Sequence, residues 1–326
     1  MGHDNIPCTQ VARSGNLTLL KQLRNRKMPS PWDEMTCVAA AEQGHLHILQ
    51  WLRTQNPPCP WNVWTCSSAA ANGHFQVLQW VRTQNPPCPW DEYTCAAAAE
   101  QGHWHILQWL HQQGCPWDQR TCTAAACNDY LHILQWLRTQ TPPCPWAEDT
   151  CFRAAFNGHL HILQWLRGCQ PPCPWDAWSC TMAARQGHLH VVKWLREQHP
   201  PCPWDQDTCG DAVKSDQIHV LQWLREQHPP CPWDEETCKS AALQGDPHIL
   251  KWLRTGPPRC SWPEWMGTTY RGHFEQYEAR QRLVDQHGWQ WSPIVTQWLR
   301  AVQDVFDHHL SAFLCYDVVT LVQRYL

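Results

Sequence analysis

The sequence predicts an all-α solenoid of helical hairpins, joined by short proline-rich turns and closed by a helical cap at the carboxyl end. A Cys-Pro-Trp tripeptide recurs along the chain, and seven of the eight intervals between its tryptophans are 29 residues while one is 27. Most units carry a central glycine that divides them into two helix-length halves. Such a period is typical of stacked repeats, in which each unit buries its apolar face only against its neighbours. The repeated tryptophans are Trp32, Trp61, Trp90, Trp117, Trp146, Trp175, Trp204, Trp233 and Trp262.

The first half of the unit 32–60 has the signals of a short helix. Asp33 is a natural N-cap, because its carboxylate can accept from the free amides of the first turn. Trp32 and Cys37 then occupy the two positions of a hydrophobic staple. Gly44 is expected to stop the helix, since it takes the left-handed conformation without a Cβ penalty.

The second half of the unit predicts an amphipathic helix that packs closely on the first. Residues 46–52 supply a broad apolar face, and Asn56-Pro57-Pro58 ends it. The alanine eight residues after the repeated tryptophan is the same in eight units, which indicates tight packing; these are Ala40, Ala69, Ala98, Ala125, Ala154, Ala183, Ala212 and Ala241. A second tryptophan follows 19 residues after the first, as Trp51 does. We expect the paired rings to be buried, each contributing up to about 4–6 kcal/mol.

These residues resemble the ankyrin repeat. Residues 36–53 read TCVAAAEQGHLHILQWLR, similar to the ankyrin order of threonine, paired alanines, Gly-His-Leu and an apolar helix. The match is clearest at Gly44-His45-Leu46, Gly73-His74-Phe75, Gly158-His159-Leu160 and Gly187-His188-Leu189. Thr-Cys-x-Ala replaces the Thr-Pro-Leu-His of the family, and the unit is about four residues shorter, which implies a reduced hairpin between units. This short Cys-Pro-Trp-Asp variant is similar to ankyrin proteins of giant amoebal viruses.

The resemblance covers roughly residues 5–288 and implies a division of the chain. Residues 1–31 form a partial capping repeat, 32–261 eight ankyrin-like repeats, and 262–288 a degenerate ninth. Residues 289–326 are predicted to form the helical cap, and the alternative is that residues 313–326 make an F-box-like ending. That alternative would make the protein a substrate adaptor for a ubiquitin ligase.

Composition and motifs exclude several classes of function. The formal charge of −4 offers no basic field for nucleic acid, and no run of eighteen apolar residues predicts a membrane span. The first residues lack a secretory signal, so we expect an intracellular, cytoplasmic monomer, in the host cytoplasm if the chain is viral. No nucleophile elbow, phosphate loop or metalloprotease helix is present. We therefore expect no enzyme activity and no cofactor.

Sixteen of the twenty cysteines recur at two repeat positions, such as Cys59 and Cys66. Zinc ligation is disfavoured because no Cys-x-x-Cys knuckle is present. Disulfides within a unit, such as Cys59–Cys66, stay open as an alternative, although no oxidising compartment is indicated. The favoured interpretation is that the thiols are small buried hydrophobes.

Histidines form two further sets. The resemblance implies that the histidine after the turn glycine, such as His45, satisfies groups of the turn. The set two residues later, such as His47, is interpreted as a solvated row, with a pH-sensitive contact surface and metal binding as alternatives.

Positions that vary between units predict a surface for a protein partner. In the ankyrin fold the side of the first helices is concave and commonly binds proteins, so variable residues there are the candidates. Aromatic and arginine side chains are the usual interface anchors. The candidate partner-binding residues are Trp64, Tyr93, Arg120, Asp149, Phe152, Phe156, Trp178, Met182 and Asp207.

Overall fold

The computed structural model describes residues 8–26 and 30–234, together with 236, 237 and 240. Within these residues the regular structure is helical throughout, with sixteen helices and no strand. The helices are α1 (Cys8–Arg13), α2 (Leu17–Arg24), α3 (Glu34–Glu42), α4 (Leu46–Arg53), α5 (Val63–Ala71), α6 (Phe75–Thr83), α7 (Glu92–Glu100), α8 (Trp104–Gln112), α9 (Gln119–Cys127), α10 (Leu131–Thr139), α11 (Glu148–Phe156), α12 (Leu160–Gly168), α13 (Ala177–Arg185), α14 (Leu189–Glu197), α15 (Gln206–Lys214) and α16 (Ile218–Glu226).

Each unit is a hairpin of two short helices, as predicted. Asp33 adopts the extended conformation of an N-cap before α3, and its backbone N–H donates to Thr36 Oγ1 at 3.5 Å. Gly44 has a φ of +71° and ends the hairpin turn, so α4 starts at Leu46. The helix boundaries therefore lie within about two residues of the prediction.

The hairpins stack in chain order. Each odd-numbered helix from α1 to α15 packs against the next odd-numbered helix, while consecutive second helices contact each other less extensively. Between the first helices lie fully buried rows of threonine, cysteine and alanine, such as Thr94, Cys95 and Ala98. Leucine and isoleucine from the second helices, such as Ile133 and Leu137, complete the core. The described chain is therefore a helical repeat solenoid.

The tryptophan pairs lie at the edge of this core. In each described unit the two rings meet edge to face; Trp32 and Trp51 have centroids 5.9 Å apart. Both rings are half-buried, whereas the largest fully buried side chains are leucine and isoleucine. The expectation of fully buried indoles is therefore wrong, because small alanines and cysteines already fill the space between adjacent first helices.

An arginine stacks on the first tryptophan of most units, a contact that the sequence pattern did not indicate. Arg53 stacks on the Trp61 ring of the next unit, with Cζ 3.9 Å from the ring centroid. Its Nη1 also donates to the Cys59 carbonyl oxygen at 2.8 Å. Cation–π stacking on indole and a charge-assisted hydrogen bond both stabilise the connection between units. Equivalent arginines are Arg24, Arg82, Arg138, Arg167, Arg196 and Arg225.

The 27-residue interval has a local cause. Where other units continue into two prolines, the connection after α8 turns at Gly114, whose φ is +75°. His111 takes the place of the arginine and stacks flat on Trp117, with ring centroids 4.0 Å apart. The shorter connection therefore keeps the aromatic contact and the stacking register.

The first 31 residues contribute α1 and α2, a short hairpin that packs on α3 through α1. The predicted ninth repeat at 262–288 and the cap at 289–326, with its F-box-like alternative, lie outside the described residues. No helix in the described part of the chain has the length and apolar character needed to span a bilayer.

Candidate functional site

One position in each first helix projects a varied side chain into solvent. This position is the second residue of the helix, two after the N-cap. We call the set the first-turn row; its members in the seven helices from α3 to α15 are Met35, Trp64, Tyr93, Arg120, Asp149, Trp178 and Asp207. All seven are exposed.

The row contains every large hydrophobic side chain that is exposed in the described residues. Met35 is 46% exposed, Trp64 51%, Tyr93 38% and Trp178 55%. Isolated exposed apolar residues are ordinary, but their restriction to one repeat position is not expected from chance alone. The row is therefore the feature of the surface that most needs a functional explanation.

Local helix chemistry explains why this position faces solvent. In α7 the Asp91 carboxylate accepts from the Tyr93 backbone N–H at 3.1 Å, and the Asp91 N–H donates to Thr94 Oγ1 at 3.4 Å. Thr94 and Cys95, the next two residues, are completely buried against the neighbouring units. The capped first turn thus fixes the backbone of Tyr93 and leaves its side chain on the open side.

Two aromatic members of the row touch across adjacent units. The rings of Trp64 and Tyr93 meet edge to face with centroids 5.4 Å apart. This contact joins α5 and α7 into one exposed aromatic surface. Trp178 lies on α13, three first helices further along the row from Tyr93.

The polar members make the middle of the row charged. Arg120 Nε donates to Asp118 Oδ2 at 2.8 Å, and both side chains are partly exposed. The pKa of the Arg120 guanidinium is raised, first by that hydrogen bond and by the charge of Asp118, then by Glu92 and Asp91 of the preceding unit. Carboxylates of two adjacent units therefore stabilise the positive charge of Arg120 in the row.

Three of the predicted partner-binding residues lie elsewhere. Met182 is only 6% exposed and packs inside the stack, so it cannot contact a partner without rearrangement. Phe152 is half-buried beneath the Arg153 guanidinium, whose Cζ is 4.8 Å from the ring centroid. Phe156 is half-buried at the carboxyl end of α11, about 10 Å along the helix from Asp149. Variation between units identified the first-turn row, but it could not distinguish exposed positions from buried ones.

The histidines connect neighbouring units. The ring of His74 packs over Gly44 of the preceding unit, and its Nε2 lies 3.0 Å from the Glu42 carbonyl oxygen. His45, His103, His159 and His188 repeat this contact with the unit before each of them.

The second histidine set is exposed from His47 to His219, the members that the structure describes, as interpreted from the sequence. His47, His190 and His219 also place Nε2 at 3.3 Å from a glycine carbonyl oxygen of the preceding unit. Both sets therefore hold units together, a role that the sequence pattern of a solvated row did not indicate.

The repeated cysteines among the described residues, from Cys37 to Cys231, are buried free thiols. Cys37 Sγ lies 3.9 Å from the Cys59 carbonyl oxygen, and Cys59 Sγ donates to the Asp33 carbonyl oxygen at 3.4 Å. The hydrogen bond with Cys37, and then burial, raises the pKa of the Cys59 thiol. Cys66 lies against Cys88 in the same way, so each of these thiols contacts a cysteine other than the partner in the Cys59–Cys66 alternative. In the part of the chain that the structure describes, no three His, Cys, Asp or Glu residues are grouped to hold a metal ion.

Comparison with known proteins finds no family model and no curated protein that matches the chain.

Proposed function

We propose that the chain is an ankyrin-type scaffold without catalytic activity, and that it binds a protein partner through the first-turn row. The exposed part of the proposed site is Trp64, Tyr93, Arg120, Asp149, Trp178 and Asp207, with Met35 added from the structure. The ankyrin assignment is supported by the hairpin order and by the Gly-His turn that contacts the preceding unit.

The observation that carries the proposal is the exposure of four large apolar side chains at one repeat position. Tryptophan and tyrosine are the residues most enriched among interface hot spots, because each buries a large rigid surface at little entropic cost. A partner that covers Trp64 and Tyr93 would remove their exposed area from water without reorganising the solenoid. Such a preformed surface keeps the entropic cost of binding low.

The packing of the helices supports a concave binding side. First helices of adjacent units contact each other more extensively than second helices do. In the ankyrin fold the side of the first helices is concave, and solenoids use such surfaces for extended contacts.

The test is differential capture of interacting proteins by the full-length chain. We expect the triple variant Trp64→Ala, Tyr93→Ala, Trp178→Ala to lose partners that the wild type retains, with an unchanged far-ultraviolet circular dichroism spectrum. Loss of two or three hot spots would weaken binding about a hundredfold or more.

The matched control is the triple variant Gln79→Ala, Gln112→Ala, Glu197→Ala. These exposed residues lie on the second helices of the same three units. A partner retained equally by the wild type and by the aromatic variant would contradict the proposed surface.

A further inference from the structure

We propose that the segment bound by the first-turn row is an extended, basic stretch of polypeptide, with Lys or Arg side chains repeated along it. This inference rests on the proposed function and names the chemistry of its partner.

The edge of the solenoid that carries the row is strongly acidic. At the N-cap and the first two positions of the first helices from α3 to α15, the described residues include ten carboxylates and one cation, Arg120. The carboxylates are Asp33, Glu34, Asp91, Glu92, Asp118, Glu148, Asp149, Asp176, Asp205 and Asp207. Helix dipoles offset part of this charge, at about half a positive charge per helix. The remaining field favours a positively charged partner.

The cationic side chains of the same region either contact other groups or lie away from the first-turn row. The repeat arginines, such as Arg53, stack on tryptophan and donate to a carbonyl oxygen of the connection. Arg185 and Lys214 lie near the carboxyl ends of their first helices, roughly 10 Å along the axis from the row, and Arg153 lies about 6 Å from Asp149. Asp118 already pairs with Arg120, and N-cap carboxylates such as Asp91 accept from first-turn amides. The carboxylates offered to a binding partner are therefore chiefly those on the helices themselves, such as Glu34, Glu92 and Glu148.

The contacts of Arg120 illustrate the environment of a cation at this edge of the solenoid. Its guanidinium pairs with Asp118 at 2.8 Å and is also stabilised by Glu92 and Asp91 of the preceding unit. A partner's guanidinium beside another first helix would also meet adjacent carboxylates, for example Glu148 and Asp149 at the start of α11. The faces of Trp64 and Tyr93 would stack on such a cation or on its aliphatic stem.

The spacing of the units favours an extended segment. Packed helices lie about 8–10 Å apart, and an extended chain advances about 3.3–3.6 Å per residue. About three residues therefore cross one unit, and a segment of about twelve residues crosses about four. A cation at about every third residue would match the acidic first turns.

The experiment selects a displayed library of random twelve-residue peptides on the full-length chain. We expect enriched peptides to carry a net positive charge, and their binding to weaken at least about tenfold when sodium chloride rises from about 0.05 M to about 0.5 M. The variant Glu34→Gln, Glu92→Gln, Glu148→Gln should weaken the same peptides about tenfold. The control Glu100→Gln, Glu197→Gln, Glu226→Gln changes the net charge equally at exposed sites away from the row, and should change binding by less than about twofold.

The outcomes separate the inference from the proposed function. If the enriched peptides are neutral or acidic but do not bind the aromatic triple variant, the inference of a basic partner is wrong. The first-turn row would then remain the proposed binding surface. Failure to enrich any peptide that depends on Trp64, Tyr93 and Trp178 would overturn both. Cationic peptides that bind the two glutamine variants equally would also overturn the inference.

Discussion

Substitution of Gly158 by alanine tests the packing between units. Gly158 has a φ of +77°, and an added Cβ would lie 2.9 Å from Cε1 and Nδ1 of the His188 ring. That ring is held by the hydrogen bond between Nε2 and the Phe156 carbonyl oxygen at 3.0 Å. The methyl group can therefore enter only if the ring moves and the contact between two units weakens.

The expected cost has two parts. The left-handed backbone costs alanine about 1–2 kcal/mol, and the lower entropy of the unfolded chain returns about 0.4–1 kcal/mol. Displacement of the ring and loss of its hydrogen bond add about 1–3 kcal/mol. We expect Gly158→Ala to lower the free energy of unfolding by about 1–5 kcal/mol.

Two other glycines provide matched controls. Gly114 has a φ of +75°, but its Cβ would meet nothing within 4 Å, so Gly114→Ala should show the backbone cost alone. Gly168, the last residue of α12, has neither a positive φ nor a close neighbour, so Gly168→Ala should be neutral or stabilising by up to about 1 kcal/mol. Urea unfolding of the full-length chain, followed by circular dichroism and tryptophan fluorescence, measures all three. A Gly158→Ala cost no larger than that of Gly114→Ala would refute the contact between the units.

Further predictions concern the arginine stack and pH. Arg138→Met removes a guanidinium 3.8 Å from the Trp146 ring centroid and its 2.7 Å hydrogen bond to the Cys144 carbonyl oxygen, and should cost about 2 kcal/mol of unfolding free energy. Arg185→Met at an exposed site should cost little, and equal costs in urea unfolding would contradict the role of the stack. Burial lowers the pKa of His188 below its ordinary value, so the unfolded chain binds more protons near and below that value. The free energy of unfolding should therefore fall as pH falls from about 7 to about 5. His188→Gln should reduce this dependence in urea unfolding at several pH values, and an unchanged dependence would contradict the assignment to this ring.

The repeat period and the hairpin could be predicted from sequence because both depend on local signals. An N-cap such as Asp33, a turn residue such as Gly44 and a proline-stopped second helix act within a few residues of the chain. Eight copies of the same signals then reinforce one another. The predicted helical solenoid is confirmed, and the predicted helix ends lie close to those in the structure.

Contacts between units could not be predicted in the same way. The ring of His74 packs on Gly44, 30 residues earlier, and Arg53 stacks on a tryptophan of the following unit. Such pairs depend on how one hairpin is rotated against the next, which no single repeat encodes by itself. A signal was nevertheless present, because an arginine or histidine follows the second tryptophan by two residues, as Arg53 follows Trp51.

The candidate site was predicted in part for a related reason. Variation between units singled out the second residue of the first helix, and Trp64 and Trp178 are exposed there. The same criterion also selected Met182, which is only 6% exposed. Burial depends on both units, and a comparison of equivalent positions cannot supply it.

The most direct test of the account is hydrogen exchange of the full-length chain with and without a captured partner. The first amides of a helix have no acceptor within the helix, and those of Trp64 and Tyr93 donate to N-cap side chains at the exposed edge. We expect them to exchange faster than amides of the helix interior and to respond to a ligand that covers them. We predict slowed exchange in the first turns of α5, α7 and α13, which carry Trp64, Tyr93 and Trp178. Slowed exchange confined to the second helices, with those first turns unchanged, would contradict the proposed binding surface.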